Sequence, residues 1–289
     1  MSEDALPQPY RLLPAPDPSP ILLSVPHSGR HYPPALLTQS NLPVSTLRRL
    51  EDPHVDHIAE VAGVAGADVI TALPARAWID LNRSETDLDP TMFMPKPADY
   101  DHPVSPRIAA GLGLFPKRLG DGQAIYRERL PLSEKEERLK TVHRPFHQKI
   151  SALLDSARRH HEVALLIDCH SMPPLPRCGR EPSWDIVIGD RFGTSAAPWL
   201  MDAFETAFRR AGYRVRRNAP YAGGYIVAHH GRPGSGVHAL QVEFDRQLYL
   251  DLERLELLPG WRKLAEDFAS VVSSLRNLLW DAQGSIAAE

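Results

Sequence analysis

The sequence predicts an α/β protein with a largely parallel central sheet. Three observations carry that prediction. Short apolar runs at 21–25 (ILLSV), 163–167 (VALLI) and 238–242 (HALQV) have the length and continuity of strands buried on both faces. Stretches with apolar residues at helical spacing alternate with them, the pattern of βα units. The chain has 289 residues, 43% of them apolar and 24% charged, enough to bury a full α/β core without covalent staples. Residues 1–20 are expected to be an irregular lead-in, and residues 21–289 a single domain.

The elements follow in order. The run 21–25 is a strand stopped by Pro26. Residues 52–64 read as a helix, with Val55, Ile58, Ala59 and Ala62 on one face. Residues 68–73 and 77–81 read as two further strands. Residues 84–125 are rich in Pro, Gly and Asp and form a long surface excursion, a kind of loop that often carries function. Ser133 with Glu136 makes a capping-box signature for a helix that Pro145 disturbs and that ends near residue 160. Strand 163–167, strand 185–188, helix 197–211 closed by Gly212, the polar strand 213–217, strand 238–242 and a last helix over about 258–279 complete the chain.

Composition excludes several classes. A net charge of −3 gives no bulk basic field for nucleic acid. The N-terminus is acidic and proline-rich, without the basic and apolar regions of a signal peptide. The most apolar long stretch, 59–79, holds Glu60, Asp68 and Arg76 and so does not read as a membrane span. A cytoplasmic protein is expected. Two cysteines, Cys169 and Cys178, form neither a disulfide framework nor a four-thiolate zinc site. Cys169 reads as an inert buried thiol, because its neighbour His170 points to the opposite face of a strand. The count of 13 histidines invites a search for metal ligands.

Position is the informative signal. Four apolar runs end in reactive residue types: Pro26-His27-Ser28-Gly29, Asp80-Leu81-Asn82-Arg83, Asp168-Cys169-His170-Ser171 and Glu243-Phe244-Asp245-Arg246. Ligand sites in open α/β sheets form at the carboxyl ends of strands. Parallel neighbours would therefore bring His27, Asn82, Arg83, His170 and Glu243 to one rim. Two imidazoles and a carboxylate are the protein ligands of many catalytic zinc sites, and a second carboxylate supplies a general base. Singly, His27 or His170 reads as an ordinary histidine, and Glu243 as half of an ion pair with Arg246. The joint pattern is what points to a site.

Those motifs, with Arg76 ahead of Asp80, Arg144-Pro145-Phe146-His147 and Leu248-Tyr249, resemble the N-formylglutamate amidohydrolase family over about residues 20–275. A wider likeness is to zinc carboxypeptidases and aspartoacylase-like deacylases. The resemblance implies a three-layer fold, a mixed, mostly parallel sheet between helices, and a single zinc ion. It implies His27 and His170 as metal ligands, Asn82 and Arg83 as the grip on a substrate α-carboxylate, Arg76 as the group that polarises the scissile carbonyl, and Glu243 as the base. The carboxylate ligand of the carboxypeptidases would fall on Arg30, which cannot bind a cation. The resemblance puts Asp52 in that role, with Asp56 and Glu51 as substitutes and helix capping as the structural alternative.

The implied reaction is hydrolysis of N-formyl-L-glutamate to formate and L-glutamate, a step in histidine breakdown in that family. The expected partner is a small N-acyl amino acid. Tyr225, in a glycine-rich loop, is a further substrate contact, and Arg127, Arg129 and Arg144 are candidates for a side-chain carboxylate. Another N-acyl-amino-acid deacylase, a carboxypeptidase-like peptidase, and a non-catalytic metal- or amino-acid-binding protein remain as alternatives.

Overall fold

The computed structural model describes residues 8–98, 105–176 and 183–286. Residues 1–7 of the expected lead-in, 99–104 of the expected excursion, and Cys178 lie outside the described residues. The strands are β1 (Tyr10–Leu13), β2 (Ile21–Val25), β3 (Asp68–Ala72), β4 (Phe93–Met94), β5 (Leu130–Pro131), β6 (Ala164–Met172), β7 (Ile186–Gly189), β8 (Val215–Arg217) and β9 (Val237–Asp245). The helices are α1 (Pro34–Gln39), α2 (Val44–Leu47), α3 (Val55–Val64), α4 (Pro106–Ala109), α5 (Leu132–Arg138), α6 (Arg144–His161), α7 (Pro198–Arg210), α8 (Tyr225–His230) and α9 (Gly260–Ile286). No helix among the described residues is long and apolar enough to cross a membrane.

A seven-stranded sheet runs in the order β1-β3-β2-β6-β9-β7-β8. The pairs β2–β3, β2–β6, β6–β9 and β7–β8 are parallel, and β7–β9 is antiparallel. The sheet is therefore mixed and mostly parallel, as expected. Side chains alternate between its faces. On one face Leu23, Ile167, Val242 and Phe244 pack under α3, α7 and α9 in a single apolar core. The Phe268 ring of α9 stacks on Phe208 of α7 at 6.0 Å and meets Phe244 edge-on at 5.2 Å. Truncating such a buried ring costs about 3–5 kcal/mol. On the other face α8 packs against β6 and β9, and Ser151 of α6 meets His230 of α8 at 3.4 Å. Helices thus flank the sheet on both sides.

Packing divides the described chain into two compact units. One holds residues 12–25, 52–71, 150–176 and 183–286 and carries most of the sheet. The other holds residues 8–11, 26–51, 72–98 and 105–149, with a small core of Leu36, Leu47, Leu50, Ala77, Leu119 and Ile125. Arg138 is fully buried there. Its guanidinium lies 3.4 Å from the Trp78 ring centroid, donates to the Trp78 carbonyl at 2.9 Å, and is paired with Glu134. A buried charge with that many partners is tolerable; removing one partner is not.

The structure departs from the sequence expectations at specific places. Residues 77–81 are not a strand. The Trp78 N–H donates to the Ala75 carbonyl in a turn, and the Asp80 N–H goes to Leu114, so these apolar residues are buried without a ladder. Residues 10–13, inside the stretch expected to be irregular, form β1. The excursion after residue 84 contains β4 and α4, and Phe93 is buried edge-on against Phe115 at 5.4 Å. Helix α5 starts at Leu132 with Pro131 at its N-cap, so Ser133 caps nothing and Glu136 pairs with Lys135 instead. The disturbance expected at Pro145 appears as a π-helical turn over Leu139–His143, where the ring has removed a backbone donor. β6 and β9 run further than the apolar runs, so His170 and Glu243 lie within the last three residues of each strand.

Candidate active site

The register of β6 and β9 builds half of the site. His170 and Glu243 are Cα partners, and one step earlier so are Asp168 and Gln241. All four leave the same face, because residues two apart in a strand do. All four are also buried. Asp168 accepts from His170 Nε2 at 2.7 Å, and Gln241 Nε2 donates to Glu243 Oε1 at 2.9 Å. Burial alone would lower the His170 pKa. The carboxylates of Asp168, Asp52 and Glu243 instead hold it well above the usual imidazole range.

Asp52 is held from the turn that follows β9. Its Oδ1 accepts from Arg246 Nη2 at 3.0 Å and from Ser171 Oγ at 3.4 Å, while Oδ2 lies 3.0 Å from His170 Nδ1. The Tyr249 hydroxyl donates to the carbonyl of Pro53, the next residue, at 2.9 Å. Asp52 therefore does not cap the helix. His54, two residues on, adopts a left-handed backbone (φ 62°), and its Nε2 meets the Leu255 carbonyl at 3.0 Å.

Asp80 organises the other cluster. Its Oδ1 accepts from His27 Nε2 at 2.7 Å and from the Asn82 N–H at 2.9 Å. Its Oδ2 accepts from Arg76 through Nε and Nη2, each at 2.9 Å. Burial would raise the Asp80 pKa, but the charges of Arg76, His27 and Arg83 hold it well below the carboxylate range. An ionised carboxylate only accepts, so His27 Nε2 is the donor in this bond. Arg83 donates from Nε to the Leu112 carbonyl at 2.9 Å and shares a cavity of about 400 Å³ with Asp87, Ser105 and Arg107. Burial lowers the Arg83 pKa, with Arg76 and Arg107 adding repulsion. Two guanidiniums on one cavity wall favour an anionic occupant.

His27, Asp52 and His170 each offer one ligand atom, and those atoms lie within 4.8 Å of one another. All three residues are buried. Two imidazoles and one carboxylate are a fitting donor set for a divalent ion in a catalytic site. The hydrogen bonds also fit. Nε2 of each histidine is turned to an aspartate, Asp80 or Asp168, which leaves Nδ1 as the donor toward an ion. A cation would replace the proton shared by His170 Nδ1 and Asp52 Oδ2. Carboxylates behind ligating histidines raise their basicity and fix their rings. Asp168→Asn is accordingly expected to weaken metal affinity roughly 10–100-fold, read by competition with a chromogenic chelator; unchanged affinity would remove Asp168 from that role.

A sequence model of the N-formylglutamate amidohydrolase family matches residues 19–250. The chain belongs to that family. N-formylglutamate deformylase of Pseudomonas aeruginosa is 33% identical over 240 residues, 80% of this chain and 82% of the relative. The N-formylglutamate deformylase of Pseudomonas putida is 31% identical over 274 residues, 91% of this chain and 94% of the relative. The crystal structure of N-formylglutamate amidohydrolase from Ralstonia eutropha JMP134 superposes with a TM-score of 0.86 at 29% identity, covering 95% of this chain and 99% of that one.

Within this family member, three residues that sequence reasoning passed over hold the others in place: Asp80, Asp168 and Gln241. A signal for two of them was available. Asp168-x-His170 and Gln241-x-Glu243 are polar residues two apart in apolar strands, hence on one face. Arg144, a candidate cation, is occupied by Glu85 through two bonds of 3.0 and 2.7 Å. Tyr225 opens α8, where its ring stacks on His229 at 4.9 Å. Cys169 faces the apolar core, where burial followed by the Asp168 charge pushes its thiol pKa well above the usual range.

Proposed function

We propose that the chain hydrolyses the formamide of N-formyl-L-glutamate, giving formate and L-glutamate, with zinc bound by His27, Asp52 and His170. One observation carries the reading: a buried His-Asp-His group whose second histidine is the strand partner of Glu243, in a member of the N-formylglutamate amidohydrolase family. Zinc held there supplies Lewis acidity toward a carbonyl and makes water a nucleophile near neutral pH.

The chain's own residues do the rest. Glu243 takes the proton of the attacking water and passes one to the leaving α-amine, so a C–O bond forms and the C–N bond breaks. Arg76, held by Asp80, stabilises the negative charge that grows on the formyl oxygen. Asn82 and Arg83 grip the α-carboxylate, a task suited to a planar guanidinium. Tyr225, the first residue of α8 rather than part of the glycine loop, contacts the substrate. The substrate is a small acidic N-acyl amino acid, and the sparse cysteines suit a cytoplasmic site of action.

The test is formate release from N-formyl-L-glutamate, beside N-acetyl-L-glutamate and a dipeptide. Hydrolysis, read as newly freed amine, is expected of the first alone, with formate as its other product, lost with a chelator and restored by Zn²⁺. No formate from the metal-loaded protein, or hydrolysis of the dipeptide instead, would overturn the assignment.

A further inference from the structure

We infer that Gln241 is a positioning residue for Glu243, an amide that fixes the orientation of the base. The inference rests on the assignment of Glu243 as base. Gln241 is 4% exposed and lies two residues before Glu243 in β9, on the same face. Its amide has only one workable orientation. The backbone N–H of Gly224 is purely a donor, so the atom 2.8 Å from it is Gln241 Oε1. Nε2 is then the group that donates to Glu243 Oε1 at 2.9 Å.

The far end of this bridge is backbone packed against β7. Gly189 is the Cα partner of Gln241 in the antiparallel pairing of β7 with β9. A Cβ at Gly189 would meet the Ala222 carbonyl carbon at 2.5 Å and the Gly223 nitrogen at 2.9 Å, so the loop 222–224 lies directly on β7. The Arg191 N–H donates to the Ala222 carbonyl at 2.7 Å, and Asn218 Oδ1 accepts from the Asp190 N–H at 3.0 Å. Gly224 is thereby an anchor made of backbone.

A glutamate needs such an anchor. The last torsion of its side chain is broad and two-fold, so nothing intrinsic sets the plane of the carboxylate. A bond donated to one oxygen sets it. Asp168 does the same for His170 one strand away, and Asp168 and Gln241 are themselves Cα partners. His170 and Glu243 are thus each held by the residue two positions before it in its own strand.

Gln241→Met keeps the length and removes both bonds. It is expected to lower kcat about tenfold or more, since small displacements of a catalytic group are costly, with KM within about twofold and the metal-to-protein ratio unchanged. The same change in a Glu243→Gln background is expected to alter the residual rate by less than about twofold, because an effect exerted through the base vanishes without it. If Gln241→Met does not fold, Gln241→Asn, one methylene short of bridging, is expected to repeat the loss of kcat. Equal losses in both backgrounds would make Gln241 merely structural and overturn the inference. A Gln241→Met rate within twofold of wild type, beside an inactive Glu243→Gln, would overturn it too. Full activity of Glu243→Gln would instead remove the base assignment, and this inference with it.

Discussion

Replacing Glu243 by glutamine is expected to lower kcat by roughly 10²–10⁴ while the metal-to-protein ratio stays unchanged. The substitution preserves shape in a position that is 7% exposed. An amide oxygen still accepts from Gln241 Nε2, so the local packing and its hydrogen bond survive. On the proposed role, what is lost is the capacity to take a proton as water attacks and to return one to the amine. KM should move little, because the loss falls on the transition state rather than on substrate binding. Steady-state formate release, elemental analysis and a thermal melt on one preparation read all three quantities. Full turnover in this variant would place the base elsewhere.

His170→Ala should produce the opposite dissociation, with bound metal falling toward zero. It deletes one of the three side chains that could hold an ion in the group of His27, Asp52 and His170. It also leaves Asp52 and Asp168, both buried, without the imidazole between them. Removing one partner of a buried ionic cluster costs about 3–5 kcal/mol, so the melting temperature should fall as well. Adding excess Zn²⁺ should not restore full occupancy. An unchanged metal ratio by elemental analysis would exclude His170 as a ligand. The two variants together separate holding the ion from using it.

The apolar runs that became β2, β6 and β9 were readable because parallel strands covered on both faces leave an unbroken apolar signature. The helix ending at Gly212 was readable through its spacing and a glycine with φ 94°. His27, His170 and Glu243 stood out by chemical type after or at the ends of apolar runs, whereas Asp52 came from the family resemblance alone. Residues 77–81 misled because burial and strand are different properties; here burial comes from long-range bonds, such as that from Asp80 to Leu114, which leave no local periodicity. The direction of β7 was invisible because alternation says nothing about polarity. Helix α8 has six residues, too few for a helical period to register. The supporting residues Asp80, Asp168 and Gln241 escaped because their value lies in a partner, and a partner is a fact of three dimensions.

The nine-residue strand β9 and its following turn carry Gln241, Glu243, Arg246 and Tyr249, and through the last two they hold the loop of Asp52. On the proposed roles, proton transfer and ion retention therefore depend on one segment of the chain. A one-residue insertion in β9 ahead of Glu243 would turn that carboxylate toward the apolar face and shift Arg246 and Tyr249 away from the Asp52 loop. Library designs that aim to change what the enzyme accepts should leave this stretch untouched and vary the 72–149 side instead.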